Sequence, residues 1–149
     1  DMRQREGAYM ARTLGAQCKT IEELTLRVEA LAPERLTAYR KRLGDRLAET
    51  AGGNLDDLQK ARLAAEVSVM ADKMDVAEEI VRLKSHAVQF KETIKRGGTI
   101  GKKLGFMLQE INRELNTLSA KAGHALMAQH CVVAREEAEK MRELVQNLE

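Results

Sequence analysis

Apolar residues recur at helical spacing along most of the chain, and the alternation that marks a β-strand is not evident. From Asp57 to about Lys95 they form two separate stripes on a helical wheel of about 100° per residue. This pattern predicts one helix about 60 Å long, since each residue adds about 1.5 Å. Because each stripe needs a surface to cover it, contacts on two sides of this helix are expected. The first stripe contains Leu63, Val67, Met70, Met74, Ala77, Val81 and Val88, and the second contains Val76, Ile80, Leu83, Ala87 and Phe90.

A second helix is predicted from Gly101 to Lys121, where leucine and isoleucine side chains are spaced four and three residues apart. Such spacing gives a narrow apolar seam that packs against a partner helix. Charged and polar residues follow both flanks of the seam. The seam contains Leu104, Leu108, Ile111, Leu115 and Leu118, and the flanks contain Gln109, Glu110, Arg113, Glu114, Asn116 and Thr117.

Helical patterning also runs from Met2 to Ala32, and it predicts either one long helix or two helices joined near Lys19. Pro33 is expected to break the chain there, because proline is best tolerated in the first turn of a helix. A further amphipathic helix is predicted from Pro33 to Ala51, with a basic face that is either solvated or turned towards RNA. That face contains Arg35, Arg40, Lys41, Arg42 and Arg46.

Glycine-rich turns separate the later helices. Gly52-Gly53-Asn54 predicts a turn, after which Asp56 or Asp57 can cap the next helix. Together the elements predict an all-α fold of long antiparallel helices in an extended, oligomeric bundle, with residues 1–149 forming a single domain. The last predicted helix is Ala125–Leu148, with Leu126, Val133, Met141, Leu144 and Leu148 as its expected contacts.

The composition agrees with a helical protein and narrows the classes of function. The net charge is only +2, so the chain as a whole has no strong positive field that would attract nucleic acid. A local patch of positive charge would be enough to bind RNA. Two Phe and two Tyr are few for an RNA-binding domain built on aromatic stacking. Cys18 and Cys131 predict two reduced thiols in a cytoplasmic protein. No apolar run approaches the roughly 20 residues that span a bilayer, so no membrane partner is expected.

A charged strip between the two stripes is the main candidate for chemistry. Its carboxylates, with those of the second helix, suit a hard divalent cation such as Mg²⁺ or Mn²⁺. Arg82 or Arg113 could donate to a phosphate, and His86 could transfer a proton near neutral pH. The same spacing is also that of ordinary helical ion pairs. The carboxylates concerned are Asp72, Asp75, Glu78, Glu79, Glu110 and Glu114.

The segment from Lys91 to Lys103, KETIKRGGTIGKK, is locally basic and rich in glycine. It precedes a helix N-terminus, whose free N–H groups favour anions. The segment is therefore either a flexible connection with solubilising lysines or a site of phosphate contact. The spacing of a phosphate-binding loop of the Walker A type is absent, and so are the motifs of zinc and di-iron sites.

Three stretches resemble the C-terminal half of the bacterial YicC family of endoribonucleases: ADKMDVAEEIVRLKSH, GKKLGFMLQEINRELNTLSAK and the closing EEAEKMRELVQNLE. The family pattern runs A-D-K-x-D-I-x-E-E-x-x-R-L-x-S-H, then G-R-K-L-D-F-x-x-Q-E-x-N-R-E-x-N-T-x-x-S-K, and ends in Q-N-I-E. The similarity covers nearly the whole chain and is strongest from Arg62 onward. Gly105 stands where the family usually has Asp, Ser119-Ala120 replaces Gly-Ser, and Leu144 replaces a common Gln.

The resemblance implies a metal-dependent endoribonuclease that cleaves RNA phosphodiester bonds. The alternative is a helical oligomerisation or RNA-binding adaptor domain without catalysis. The resemblance further implies RNA rather than DNA as partner, a homohexamer, a Mg²⁺ or Mn²⁺ cofactor and a separate N-terminal domain before this segment. The expected catalytic residues are Asp75, Glu78, Glu79, Arg82, His86, Glu110, Arg113 and Glu114; the metal ligands are Asp75, Glu79 and Glu114; and the RNA-binding residues are Lys95, Arg96, Lys102, Lys103, Asn116 and Lys121.

Overall fold

The computed structural model describes residues 1–148, and these form five α-helices and no β-strand. The all-α prediction is therefore confirmed, while the antiparallel arrangement of the bundle and its oligomeric state stay predictions. Each helix among the described residues is too short or too polar to span a bilayer. The helices are α1 (Met2–Thr50), α2 (Asp57–Met74), α3 (Ala77–Arg96), α4 (Gly101–Lys121) and α5 (Ala125–Gln146).

One hydrophobic core joins four of these helices. The N-terminal half of α1 packs on α3 and α5, and α4 also packs on α3 and α5. The predicted seam of α4 is buried along its whole length, and so is the second stripe of α3, so both predictions are confirmed. Each stripe is covered because burial of aliphatic side chains is the main favourable term in folding. From α1 the core receives Leu14, Cys18, Ile21, Leu24 and Val28.

The residues of the first predicted stripe are buried to different extents on α2 and on α3. Its members on α2 are half-buried against α1, whereas Val81 and Val88 on α3 are 64% and 47% exposed. Within this chain the face of α3 that carries Val81 and Val88 is therefore uncovered, and the contact predicted on that side is not formed. α2 itself contains no fully buried residue.

A turn with two left-handed glycines leads from α1 into α2. Gly52 and Gly53 have φ values of 81° and 124°, which side chains other than glycine rarely adopt. Asp56 then accepts a hydrogen bond from the Gln59 backbone N–H at 2.7 Å, and the Gln59 side chain accepts one from Asp56 N–H at 2.9 Å. This capping box fixes the start of α2 and confirms Asp56 as the cap.

Helix α1 continues through Pro33, so the predicted break at this residue is wrong. The helix is also continuous at Lys19, so the alternative with one N-terminal helix is the correct one. Because proline has no backbone N–H, it removes only the one hydrogen bond that this group would donate to the carbonyl four residues earlier. Packing on α3 and α5 before Pro33, and on α2 after it, holds the helix together across that gap.

The central helix predicted from Asp57 to about Lys95 is two helices, α2 and α3, and that prediction is wrong. The chain leaves helical geometry at Asp75, whose Oδ1 accepts a hydrogen bond from the Ala77 N–H at 3.0 Å. The carbonyl of Met74 accepts one from Arg35 Nη2 at 2.6 Å. Side chains therefore satisfy backbone groups that a continuous helix would pair internally.

The buried face of α5 also differs from the predicted one. Of the five expected contacts, Met141 is buried and Leu144 and Leu148 pack half-buried against the core, so these three are confirmed, whereas Leu126 and Val133 are exposed. Half of the buried residues are alanine or cysteine, which a search for large aliphatic residues overlooks, and this face packs on α1 and α4. The buried residues are Met127, Cys131, Ala134, Ala138, Met141 and Val145.

Both cysteines are free and buried. Cys18 Sγ lies 3.5 Å from the carbonyl oxygen of Ala87, to which it donates. Burial, and then the charge of Glu22, raise the pKa of the Cys18 thiol to about 12. Burial likewise raises the pKa of Cys131. Both residues therefore serve the core as small apolar groups.

Candidate active site

Helices α3 and α4 turn charged side chains towards each other. On each helix the residues concerned are three, four or seven positions apart, so they share one face. The contacts between them run in opposite order along the two helices, which brings the two sequence motifs together. The facing residues are Glu79, Arg82 and His86 on α3 and Glu110, Glu114 and Lys121 on α4.

Ion pairs fill the part of this groove nearest the end of α4. Lys121 Nζ lies 2.8 Å from Glu79 Oε1. Arg82 Nε donates to Glu114 Oε1 at 2.8 Å, and its Nη1 donates to Glu78 Oε2 at 3.2 Å. The hydrogen bond to Glu114 raises the pKa of the Arg82 guanidinium above its ordinary value. Arg82 thus stays charged and fixes the Glu114 carboxylate.

Two of these carboxylates are buried. Glu79 is 3% exposed and Glu114 is 6% exposed, whereas their cationic partners are partly exposed. Among the described residues, Glu79 Oε2 has no hydrogen-bond partner. A buried carboxylate oxygen without a donor is costly. Glu79 therefore has the capacity to accept a further donor or cation.

A second group lies further along the groove. Ligand atoms of His86, Glu110 and Glu114 all lie within 4.8 Å of one another. His86 is half-buried, Glu110 is exposed and Glu114 is buried. Two carboxylates and an imidazole at such distances could hold a metal ion.

The predicted metal ligands are not all in this group. Glu114 belongs to it, but Asp75 Oδ1 caps the start of α3 and Glu79 pairs with Lys121. Asp75 and Glu79 instead line a separate cleft of about 220 Å³, together with Asp72, Glu78 and Lys121. The geometry thus offers His86 and Glu110 as ligands beside Glu114.

The other predicted site residues lie around this groove. Arg113 and Asn116 are exposed on α4, whereas Lys121 is bound to Glu79 and to the carbonyl of Asp75. A connection of residues 97–100 separates α3 from α4. Four exposed cations flank this connection: Lys95 and Arg96 at the end of α3, and Lys102 and Lys103 at the start of α4.

The family model described as "Endoribonuclease YicC-like, C-terminal" matches residues 28–149. The chain belongs to the YicC-like endoribonuclease family. It is 37% identical over 152 aligned residues to a probable endoribonuclease YicC of Clostridioides difficile, covering 100% of this chain and 50% of that protein. It is 38% identical over 148 residues to a probable endoribonuclease YicC of Haemophilus influenzae, covering 99% of this chain and 50% of that protein. The chain spans about half the length of these curated relatives.

The region that matches the family model contains every predicted site residue, and it also contains Arg35. Arg35 was predicted to lie on a basic face that is solvated or turned towards RNA, and for this residue the prediction is wrong because its side chain is buried. Arg35 is 5% exposed and binds carbonyl oxygens at the ends of two other helices. Its Nη1 donates to Lys121 and Ala122 at 2.8 and 2.9 Å, and its Nη2 donates to Met74 at 2.6 Å. Its Nε donates to Ala32 at 3.2 Å. Arg35 therefore connects α1 to the C-terminal ends of α2 and α4.

The sequence does carry a signal for the burial of Arg35. Leu14, Ile21 and Val28 are buried at intervals of seven residues, and the next step of this series is residue 35. Burial lowers the pKa of the guanidinium, and the charge of Asp75 opposes that shift. The negative ends of two helix dipoles give further support to the positive charge.

Proposed function

We propose that this chain carries the RNA-cleaving site of a metal-dependent endoribonuclease, and that the site is the groove between α3 and α4. The observation that most supports this is the meeting of the two motifs, which brings acidic, basic and imidazole groups into one groove. The curated relatives are named probable endoribonucleases, which supports the same class of reaction.

A divalent cation, Mn²⁺ or Mg²⁺, is the proposed cofactor. His86, Glu110 and Glu114 would hold it, because their donor set of carboxylate oxygens and one imidazole nitrogen fits such an ion. When bound, the ion would polarise a phosphate oxygen and stabilise the negative charge that develops during cleavage. Asp75 and Glu79 remain the candidates that the sequence suggested for a neighbouring position.

Side chains of this chain would bind the phosphates of the RNA. The half-exposed guanidinium of Arg82 lies beside Glu114 and can donate to a phosphate oxygen of RNA. A histidine nitrogen that holds an ion cannot carry a proton, so in this arrangement His86 binds rather than transfers protons. The four cations that flank the α3–α4 connection would bind phosphates on either side of the cleaved bond.

The test is cleavage of a labelled hairpin RNA during titration with Mn²⁺. His86→Gln replaces the imidazole and Glu110→Gln removes the negative charge of a carboxylate ligand, so both weaken the site and the cleavage rate is expected to fall roughly 100-fold or more. Calorimetry should show weaker Mn²⁺ binding by the same variants. Glu143→Gln, which neutralises an exposed carboxylate on α5, is the matched control and should change neither result. Folded His86→Gln and Glu110→Gln proteins that cleave at the parent rate would overturn this ligand set.

The ion pairs favour a second candidate function, a helical oligomerisation or RNA-binding adaptor without catalysis. Lys121–Glu79 and Arg82–Glu114 connect α3 with α4 and so could serve the fold alone. Glu79→Gln keeps the shape of the side chain but removes its charge. Under the catalytic proposal, the parent protein cleaves RNA and Glu79→Gln slows cleavage at temperatures where the variant stays folded; under the adaptor function, the parent protein binds RNA without cutting it. Because Glu79 is buried and paired with Lys121, its substitution should lower the melting temperature in either case.

We also propose that the chain assembles as a homohexamer and that RNA rather than DNA is its nucleic-acid partner. Apolar side chains left exposed on α2 and α3 support self-association. The clustered cations at the α3–α4 connection support contact with a phosphate backbone.

A further inference from the structure

Phe106 is an exposed aromatic side chain in a chain with only two phenylalanines. It lies in the second turn of α4 and is 67% exposed, whereas Phe90 is completely buried in the core. Exposure of a large aromatic ring costs the protein favourable burial. The position of Phe106 therefore needs a reason outside the core.

The ring stands at the edge of a groove between α4 and α5. This α4–α5 groove has a volume of about 530 Å³, and Gly101, Lys102, Gly105, Phe106, Gln109 and Arg142 are among its lining residues. None of the described residues that line it is acidic. Arg142 is paired with Glu139 at 2.8 Å, but both side chains are half-exposed, and such pairs are weak in water. The groove is thus apolar at its edge and cationic around it.

The register of α4 places Phe106 between the basic and acidic ends of the candidate active site. Lys102 precedes it by one turn and Glu110 follows it by one turn, each about 6 Å along the axis and about 40° around it. Glu110 is one of the proposed cation ligands. A nucleotide on Phe106 would therefore lie next to the groove where cleavage is proposed.

We infer that the α4–α5 groove binds single-stranded RNA, with one nucleobase stacked on the Phe106 ring and the neighbouring phosphates bound by Lys102 and Lys103. Stacking on an aromatic ring is tolerant of sequence because every base has a π-face. The absence of carboxylates from the groove's described lining favours a polyanion over an acidic peptide or a basic partner. This inference rests on the proposed function for the identity of RNA, and it makes Phe106 a positioning residue for the cleaved strand.

The first test uses fluorescence, because this chain contains no tryptophan. Phe106→Trp places a single indole at the edge of the groove. Titration with short oligouridylate and oligoadenylate, in EDTA so that no cleavage occurs, should quench its emission to a saturating end point. Leu58→Trp provides the control, since Leu58 is 62% exposed on α2, a helix that packs on α1 and contributes no residue to this groove, and it should show no quenching. Equal behaviour of the two variants would overturn the inference.

The second test compares normal RNA with an abasic strand of equal length and charge. Phe106→Ala should bind oligouridylate about ten-fold more weakly, which is within the range measured for loss of one stacked base. Its affinity for the abasic strand should equal that of the parent. If Phe106→Ala leaves RNA affinity unchanged but lowers the molecular mass in light scattering, the ring belongs to an interface between copies of the chain and the inference fails.

A third variant tests the charge of the groove without touching the ring. Gln109 lines the groove and is exposed, and Gln109→Glu adds a negative charge with almost no change of shape. Gln109→Glu should weaken RNA binding, and the loss should shrink at high salt, whereas the neutral Gln109→Met should have little effect. Equal affinities of the two variants would show that the groove does not face phosphates. All of these measurements are made without divalent ions, so they can succeed or fail independently of cleavage.

Discussion

Arg35 shows how a single side chain can decide the geometry of the candidate site. Its guanidinium binds the carbonyl of Met74 just before α3 begins, and the carbonyls of Lys121 and Ala122 where α4 ends. Glu79 and the ammonium of Lys121 meet between those two points. The planar guanidinium spreads five N–H donors over three nitrogens, so it reaches acceptors on three segments at once, whereas an ammonium has three donors on one nitrogen.

Substitution of Arg35 should therefore destabilise the fold and disturb the site together. Arg35→Met is expected to lower the free energy of unfolding by about 3 kcal/mol, since each buried acceptor left without a donor costs about 1–3 kcal/mol and water will reach some of them. Urea denaturation measures this loss. Arg35→Lys should fall between the parent and Arg35→Met.

Arg42→Met is the matched control, because Arg42 is exposed on the same helix. Its free energy of unfolding should stay within about 0.5 kcal/mol of the parent value. An Arg35→Met protein as stable as Arg42→Met would contradict the role given to the buried guanidinium.

At the scale of the helices, Pro33 is the clearest case in which packing overrides a local signal. α1 is 49 residues long and contains Pro33 in its interior. Proline there forfeits a hydrogen bond, but the helix is held by different partners on its two sides. The helix consequently extends from the core to the outlying contact with α2.

Pro33→Ala should stabilise the protein. Alanine is favoured over proline by about 3 kcal/mol inside a helix, and the more flexible unfolded chain offsets up to about 1 kcal/mol of that, which leaves a gain of about 2 kcal/mol. Thermal and urea unfolding would detect it. Glu34→Ala, at the next exposed position, serves as the control and should change stability little. A loss of stability in Pro33→Ala would mean that proline supports the local geometry at Arg35.

At the scale of the whole molecule, the apolar surface beside α3 is left without a partner in the chain. Val81 is 64% exposed and borders a cavity of about 550 Å³ whose other walls include Leu36, Met74 and Ile80. Scattered exposed aliphatic residues are ordinary, but an apolar cavity with an exposed rim fits an interface.

Self-association through this surface can be measured directly. Light scattering of the parent should show an oligomer, and Val81→Lys should lower the molecular mass because a charge at the contact opposes desolvation. Val132→Lys, at an exposed position of α5, should leave the mass unchanged. A parent protein that stays monomeric across a wide range of concentration would contradict the proposed hexamer.

The sequence by itself determined those features that depend on local periodicity. The seam of α4 and the buried stripe of α3 followed from the spacing of leucine, isoleucine and valine, because a helix that repeats every 3.6 residues places those side chains on one face. The cap at Asp56 and the family membership likewise followed from short, contiguous signals.

Only the tertiary structure decided features that depend on residues distant in sequence. The break between α2 and α3 depends on Arg35, which is 39 positions from Met74. The grouping of His86 with Glu110 and Glu114 depends on how far α3 and α4 slide past each other, and periodicity fixes a face but not that register. The buried face of α5 is apolar, and so is part of the opposite face with Leu126 and Val133; packing on α1 and α4 decided which of the two is covered.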